Sequence, residues 1–169
     1  MNLIFLDIDG VLNSSSYAEK HYEETEKGLF MYDFVDPSRV ELLCSFLKKH
    51  DGDIGLVISS SWRKKTCIDT IQFFIDHDLV SPLAKYIVGS TPRLYNGVRG
   101  DEIDWFLDSI GRPEIEKFVN KPFCIDRYCI VDDEDDMLSY QFDKFVHVND
   151  YVGLTESDID KIEELLYER

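Results

Sequence analysis

The stretch Asn2-Leu3-Ile4-Phe5-Leu6-Asp7-Ile8-Asp9-Gly10-Val11-Leu12 decides the fold. Its apolar run is rich in branched and aromatic residues, which predicts a buried strand. The run ends at two carboxylates separated by one residue and followed by a glycine. Burying an unpaired carboxylate is unfavourable, so these acids call for a partner, and Mg²⁺ is the natural candidate for hard oxygen ligands. A solvated turn after an edge strand would give the same pattern, and the motif alone leaves both readings open.

The length, the hydrophobic content and the net charge of the chain predict one acidic globular domain. A chain of 169 residues with 44% hydrophobic residues is large enough to bury a core, and we expect residues 1–169 to form a single domain. The 18 basic and 34 acidic residues give a net charge of −16. Such a surface repels polyanions, so we expect no extended binding to nucleic acid unless a local basic patch overrides the net charge.

Targeting signals and cysteines bear on the cellular compartment. The chain opens without a basic leader, and no apolar run is long enough to span a bilayer, so we expect a cytoplasmic protein with no membrane partner. The four cysteines show no close pairing and are expected to be reduced thiols. A zinc site formed by Cys124, Cys129 and a distant histidine is the alternative; the other two cysteines are Cys44 and Cys67.

Strands alternate with helices along the chain, which predicts an α/β fold with a parallel sheet and helices on both faces. In that architecture ligands bind outside the carboxyl ends of the strands. Further strands are predicted at 54–58, 86–89, 128–131 and 144–148. Helices are predicted to begin at Pro37, at Ser61, after Arg99 and at Thr155.

The segment from Asn13 to Asp36 is polar and aromatic without a clean period. A stretch of this length without regular structure in a compact domain is usually functional. Because it follows the acid pair directly, we expect it to form a flap, or minimal cap, over the site. No insertion is large enough for a separate cap domain.

Polar side chains also follow two later predicted strands. Ser59, Ser60 and Ser61 come directly after the second strand, where hydroxyls and free N–H groups can bind an anion. Helix capping by Ser61 would explain one of the three serines. Five consecutive acids, 132–136, follow the fourth strand, and metal binding would relieve their repulsion. Arg99 precedes a helix, where the dipole disfavours a cation, so an anionic partner or a plain surface position would account for it.

With these motifs in this order, the chain resembles the haloacid dehalogenase (HAD) superfamily of aspartate-dependent phosphotransferases. It is most similar to small phosphatase domains of nucleic-acid-repair proteins, such as the phosphatase module of phage polynucleotide kinase. The resemblance covers nearly the full chain and implies a Rossmann-like three-layer sandwich around a mostly parallel five-stranded sheet. It is carried by Phe5-Leu6-Asp7-Ile8-Asp9-Gly10-Val11, Val57-Ile58-Ser59-Ser60-Ser61-Trp62-Arg63, Arg99 and Ile130-Val131-Asp132-Asp133.

The resemblance implies a role for each matching residue. Asp7 would be the nucleophile and Asp9 the general acid and base. Mg²⁺ would be held by the Asp7 carboxylate, the Asp9 carbonyl, Asp132 and Asp133. The remaining positions, Ser59, Ser60, Arg63 and Arg99, would bind the phosphate or the rest of the substrate.

Two of these assignments have rivals within the chain. The third motif is usually lysine, so Lys64, Lys65, Lys85 and Arg93 compete with Arg99, although arginine can grip a phosphate through two hydrogen bonds. Asp136 competes with Asp133 for the second acid of the fourth motif. Arg63 either contacts the substrate or begins a helix beside a tryptophan in the core.

The resemblance therefore implies a Mg²⁺-dependent phosphomonoester hydrolase that works through an aspartyl-phosphate. A nucleotide, a nucleic-acid end or a phosphorylated protein side chain remain open as substrates. A non-catalytic phosphate-binding module on the same fold, and a phosphate-accepting receiver domain, are the readings from other classes.

Overall fold

The structure, a computed structural model, describes residues 1–22 and 34–168. Its five strands are β1 (Asn2–Leu6), β2 (Ile54–Ile58), β3 (Ile87–Ser90), β4 (Tyr128–Asp132) and β5 (Phe145–His147). They form one sheet in the order β3-β2-β1-β4-β5, and every pairing is parallel. The predicted α/β, Rossmann-like class is thereby confirmed.

Helices cover both faces of the sheet. Alternate residues of a strand point to opposite faces, so Ile4 and Leu6 pack into one apolar cluster while Leu3 and Phe5 pack into the other. The helices are α1 (Ser15–Tyr22), α2 (Pro37–Lys49), α3 (Cys67–Asp76), α4 (Arg99–Ser109) and α5 (Glu156–Tyr167), with short 3₁₀ turns at Ser81–Tyr86, Pro113–Phe118 and Ser139–Lys144. Buried residues of α2, α3 and α5 belong to the first cluster, and those of α4 belong to the second.

The order of the strands locates the site. From β1 the chain runs outward through β2 and β3, and then returns to place β4 on the other side of β1. Strand order therefore reverses between β1 and β4, where α/β sheets open a crevice at their carboxyl ends. Leu6 pairs with Val131 across this junction, so the residues that follow them, Asp7 and Asp132, are brought to the same point.

The segment from Asn13 to Asp36 was predicted to lack regular structure, and this is wrong for its first part. Residues Ser15–Tyr22 form α1, which carries no apolar stripe that a periodicity argument could detect. One local and one long-range contact hold it instead: the rings of Tyr17 and His21 stack with centroids 4.0 Å apart, and the Ser15 N–H donates to the carbonyl of Asp150. Residues 23–33, the middle of the predicted flap, lie outside the described residues.

The expected start of the third helix is also corrected. Helix α3 begins at Cys67, and Thr66 rather than Ser61 accepts the capping hydrogen bond, from the Asp69 N–H. Ser61 was favoured because serine follows the strand directly. In the structure a short loop separates the strand from the helix, and the Ser61 hydroxyl donates to Asp9 instead. Among the described residues, none of the helices combines the length and apolar character needed to cross a bilayer.

Candidate active site

Three aspartates meet at the carboxyl ends of β1 and β4. Asp7 follows β1, Asp132 ends β4 and Asp133 comes next, and one carboxylate oxygen of each lies within 4.8 Å of the others. Asp132 is fully buried and Asp7 is 3% exposed. Burial raises the pKa of Asp7, although Arg99 opposes the shift. Burial, followed by repulsion from Asp7, raises the pKa of Asp132 and also that of Asp133, the latter to about 6.

Within the described part of the chain, Arg99 is the cation that reaches this cluster. Its Nη1 lies 2.9 Å from Asp7 Oδ1 and 3.0 Å from Asp132 Oδ2. Burial acts to lower the pKa of Arg99, but the two carboxylates outweigh it and raise the pKa. Three carboxylates against one guanidinium leave unbalanced negative charge in a poorly hydrated place. The donor set of oxygen ligands and this excess charge fit a divalent cation such as Mg²⁺.

The structure separates the rivals for the third and fourth motifs. Arg93 donates to the carbonyl of Ser61, and the Lys85 ammonium lies 4.6 Å from the ring centroid of Tyr86, whereas Arg99 contacts Asp7. Asp136 accepts the backbone N–H of Arg99 at 3.0 Å and thereby caps α4. The second acid of the cluster is therefore Asp133, and Asp136 positions the helix that carries the arginine.

Asp9 lies beside the cluster and is held by three donors. Its Oδ1 accepts from Asn13 Nδ2 at 2.7 Å and from the indole N–H of Trp62 at 3.0 Å, and its Oδ2 accepts from the Ser61 hydroxyl at 2.8 Å. Trp62 is fully buried in the core, so its ring is a rigid support. Sequence reasoning missed Asn13 and Trp62 as partners of Asp9. Trp62 is fifty-three residues away and is brought to Asp9 by the tertiary fold, whereas Asn13 lies four residues away in the same loop and could have been found from its spacing.

Gly10 allows Asp133 to approach the first motif. Its φ is +71°, and a Cβ at this position would lie 2.3 Å from Cγ of Asp133. A side chain would therefore be strained in the backbone and would also displace Asp133. The glycine of the first motif is thus required by the geometry of the acid cluster.

Three buried hydroxyls lie at the ends of β2 and β3. Within the described part of the chain, Ser59 Oγ, Ser90 Oγ and Thr91 Oγ1 are buried and make no hydrogen bond. Buried hydroxyls are ordinarily paired, so this unpaired set leaves three donors that a ligand with oxygen acceptors would satisfy. Ser90 and Thr91 were missed, although two hydroxyl residues directly after a predicted strand are the same signal that singled out Ser59.

Ser60 and Arg63 stabilise the site from the protein interior. A hydrogen bond from the Ser60 side chain lowers the pKa of Asp7, against the larger effect of burial. Arg63 was expected to contact the substrate, but it is 5% exposed and its guanidinium is engaged inside the protein. It donates to the carbonyls of Ser59, Ser60 at 2.8 Å and Pro92 at 3.1 Å, and it forms an ion pair with Glu102. The structure therefore gives Arg63 the role of holding the loop after β2.

An Asp-Ile-Asp-Gly loop after the central strand, with aspartates after the neighbouring strand and an arginine between them, describes a HAD-type hydrolase domain. Residues 3–159 match the family of HAD domains in Swiss Army Knife RNA repair proteins. Since the match spans most of the chain, the protein belongs to this family, and the resemblance seen in the sequence is confirmed. No curated protein and no solved structure shows significant similarity to the chain.

Proposed function

We propose that the protein is a Mg²⁺-dependent phosphomonoesterase that hydrolyses the terminal phosphate of RNA through an aspartyl-phosphate. The observation that carries the proposal is the pairing of two aspartates in different surroundings. Asp7 is buried in an acid cluster against Arg99, whereas Asp9, two residues later, is fixed by three hydrogen-bond donors. One carboxylate is thus placed for attack and the other for proton transfer.

The residues of the chain account for both chemical steps. A carboxylate oxygen of Asp7 attacks phosphorus, the bond between phosphorus and the leaving oxygen breaks, and protonated Asp9 gives its proton to that oxygen. Asp9 then takes a proton from a water molecule as the water attacks the aspartyl-phosphate. The phosphorus–Asp7 bond breaks, inorganic phosphate leaves, and both carboxyl groups regain their starting states.

The phosphoryl oxygens need positive charge and donors. Among the described residues Arg99 is the cation that pairs with Asp7, and the unpaired hydroxyl of Ser59 is available to donate to a phosphate oxygen. Members of the HAD superfamily typically use Mg²⁺, and Asp7, Asp132 and Asp133 would hold it, with the Asp9 carbonyl as a further ligand. When bound, the ion would neutralise charge on the transferring group.

RNA ends are the proposed substrate class because the matching family is described by its occurrence in RNA repair proteins. A free nucleotide and a phosphorylated protein side chain are the competing substrates for the same chemistry. A non-catalytic phosphate-binding module is the competing function, and the presence of both Asp7 and Asp9 favours an enzyme over it.

The test is a Mg²⁺-dependent phosphatase assay on five substrates: an aryl phosphate, nucleoside monophosphates, 3′- and 5′-phosphorylated RNA oligonucleotides, and a phosphopeptide. We expect release of inorganic phosphate that is highest with a phosphorylated RNA. Asp7→Asn should abolish release, while Asp51→Asn, an exposed aspartate in another loop, serves as the matched control. Full activity of Asp7→Asn would refute the mechanism, and a preference for the phosphopeptide would refute the substrate class.

A further inference from the structure

A basic cleft adjoins the candidate active site. It has a volume of about 570 Å³, within the range of pockets that hold small ligands. Half of its ten lining residues are basic, and none of the ten is acidic. In a chain with a net charge of −16, this is a local reversal of sign. The basic members are Arg63, Lys64, Lys65, Arg93 and Lys117.

The charge of the cleft is largely uncompensated. Arg63 pairs with Glu102, but among the described residues no ion pair involves Lys64, Lys65, Arg93 or Lys117. Burial and the nearby Arg93 lower the pKa of Lys64, so these cations repel one another. Lys64 and Lys117 lie over the rings of Phe73 and Phe118, and Arg93 donates to backbone carbonyls, but these neutral partners do not cancel the positive charge. A bound anion would stabilise it.

Hydrogen bonds connect the cleft to Asp9. Arg93, which lines it, donates to the Ser61 carbonyl at 2.6 Å, and the Ser61 hydroxyl donates to Asp9 at 2.8 Å. Under the proposed mechanism Asp9 protonates the leaving oxygen, and the remainder of the substrate continues from that oxygen. Asp9 also lines a second opening together with Asp133 and Asp150, whose acidic wall repels a phosphate chain, so the basic cleft is the favourable direction for it.

The cleft also offers groups that recognise more than charge. Thr91 is 1% exposed, lines the cleft and has an unpaired Oγ1 within the described part of the chain. Trp105 lines the cleft as a half-buried indole that packs edge-to-face on Phe118, with ring centroids 5.4 Å apart. Cations interleaved with an aromatic surface are the combination by which proteins bind single-stranded nucleic acid: charges contact phosphates, and rings stack on bases.

We propose that this cleft binds the nucleotides of single-stranded RNA next to the terminal phosphate. Lys65 and Lys117 contact backbone phosphates, and Trp105 provides a stacking surface for a base. The proposal rests on the function proposed above, because it takes the substrate's direction from the role of Asp9. It is also compatible with the acidic surface elsewhere, since a short strand in one cleft needs only a local basic patch.

The experiment measures binding separately from catalysis. In the Asp7→Asn background, fluorescence anisotropy follows a labelled, 3′-phosphorylated RNA octamer. Lys65→Glu and Lys117→Glu are made singly, since both side chains are exposed and neither makes a hydrogen bond among the described residues. Lys48→Glu is the matched control, because Lys48 is exposed near the end of α2, at the edge of the sheet opposite the active site. Thermal unfolding verifies that each variant is folded.

Each cleft variant should weaken RNA binding by about fivefold or more and reduce the slope of log Kd against log salt by about 0.7, the value for one lost contact to a single strand. Lys48→Glu should change the affinity less than about twofold. In the catalytically active protein, the ratio of kcat/KM for the RNA to kcat/KM for an aryl phosphate should fall in the cleft variants.

The outcomes separate the two proposals. RNA binding that depends on Lys65 and Lys117, without any phosphatase activity, would support the cleft and refute the proposed function. Phosphatase activity in a protein whose Lys65→Glu and Lys117→Glu variants behave like Lys48→Glu would overturn the cleft. A phosphopeptide of equal charge that binds as tightly, with the same sensitivity to both variants, would also overturn the assignment to RNA.

Discussion

Replacing Asp133 by asparagine should stabilise the metal-free protein at neutral pH. Burial is the largest cause that raises the pKa of Asp133 to about 6, and repulsion from Asp7 adds to it. An unperturbed aspartate has a pKa of about 3.9. At pH values between these two pKa values, the carboxyl group of Asp133 keeps its proton in the folded state and loses it in the unfolded state. Rising pH therefore lowers the free energy of unfolding. Above about pH 6 the loss is complete.

The magnitude follows from the size of the shift. About two pKa units correspond to ~3 kcal/mol at ~1.4 kcal/mol per unit. Asp133 is half-buried, and solvent screening reduces this to about 1 kcal/mol. For a chain of this length, about 1 kcal/mol raises Tm by roughly 2–4 °C. Asparagine keeps the shape of the side chain without its charge.

The assay is thermal unfolding with chelator at pH 4 and pH 7.5, and again at pH 7.5 with excess Mg²⁺. With chelator, Asp133→Asn should match the wild type at pH 4 and exceed its Tm at pH 7.5. With Mg²⁺ the order should reverse, because the wild type gains a ligand that the variant lacks. Asp135→Asn, an exposed member of the same acid block, is the control. A Tm of Asp133→Asn at or below that of the wild type at pH 7.5 with chelator would refute the reasoning.

Other substitutions test other parts of the site. Gly10→Ala should place a Cβ against Asp133 and largely remove the rise in Tm that Mg²⁺ causes. Calorimetry with and without the ion measures this rise, and an unchanged rise would count against the close approach of Asp133 to residue 10. Trp62→Phe keeps an aromatic ring but loses one hydrogen-bond donor to Asp9. If that hydrogen bond contributes ~1.5 kcal/mol to the transition state, kcat should fall about tenfold. A kcat equal to that of the wild type would show that this bond is dispensable. Arg99→Ala leaves the buried carboxylates without their cation. In urea titrations of the metal-free protein it should lower the free energy of unfolding by about 3 kcal/mol at pH 7.5 and by less at pH 4. Equal losses at both pH values would show that the lost charge pairing is not the cause.

The sheet was predictable from the sequence because its strands are buried on both faces. Ile54–Ile58 and the strand before Asp7 are therefore continuous apolar runs, which stand out from the polar loops between them. Their parallel arrangement brings strand ends together at one edge, so the sequence alone predicts that the acids and serines lie at that edge, and the structure has them there. The capping boundaries of α2 and α5 were also legible, at Asp36 and Thr155, because their caps are local in sequence.

What escaped prediction depends on contacts between distant residues. Helix α1 lacks an apolar stripe, so no period announces it. The inward turn of Arg63 depends on Glu102, and nothing in the sequence around either residue signals that pair. The basic cleft likewise gathers Lys65, Arg93 and Lys117 from three separate loops and turns, which is why composition alone recorded only an acidic chain.

The Arg63–Glu102 pair has a consequence for how substrates are told apart. Arg63 donates hydrogen bonds to carbonyls in the loops after β2 and β3 and so holds these loops together. Its ion pair with Glu102 connects both loops to α4, whose first residue is Arg99. These loops are therefore held in place without a ligand, and under the proposed function binding a phosphate there would need little rearrangement on that side. A preorganised phosphate-binding site would not distinguish one phosphate ester from another. Substrate selection would then depend on the surface residues around that site, which can change in sequence while the catalytic residues stay the same.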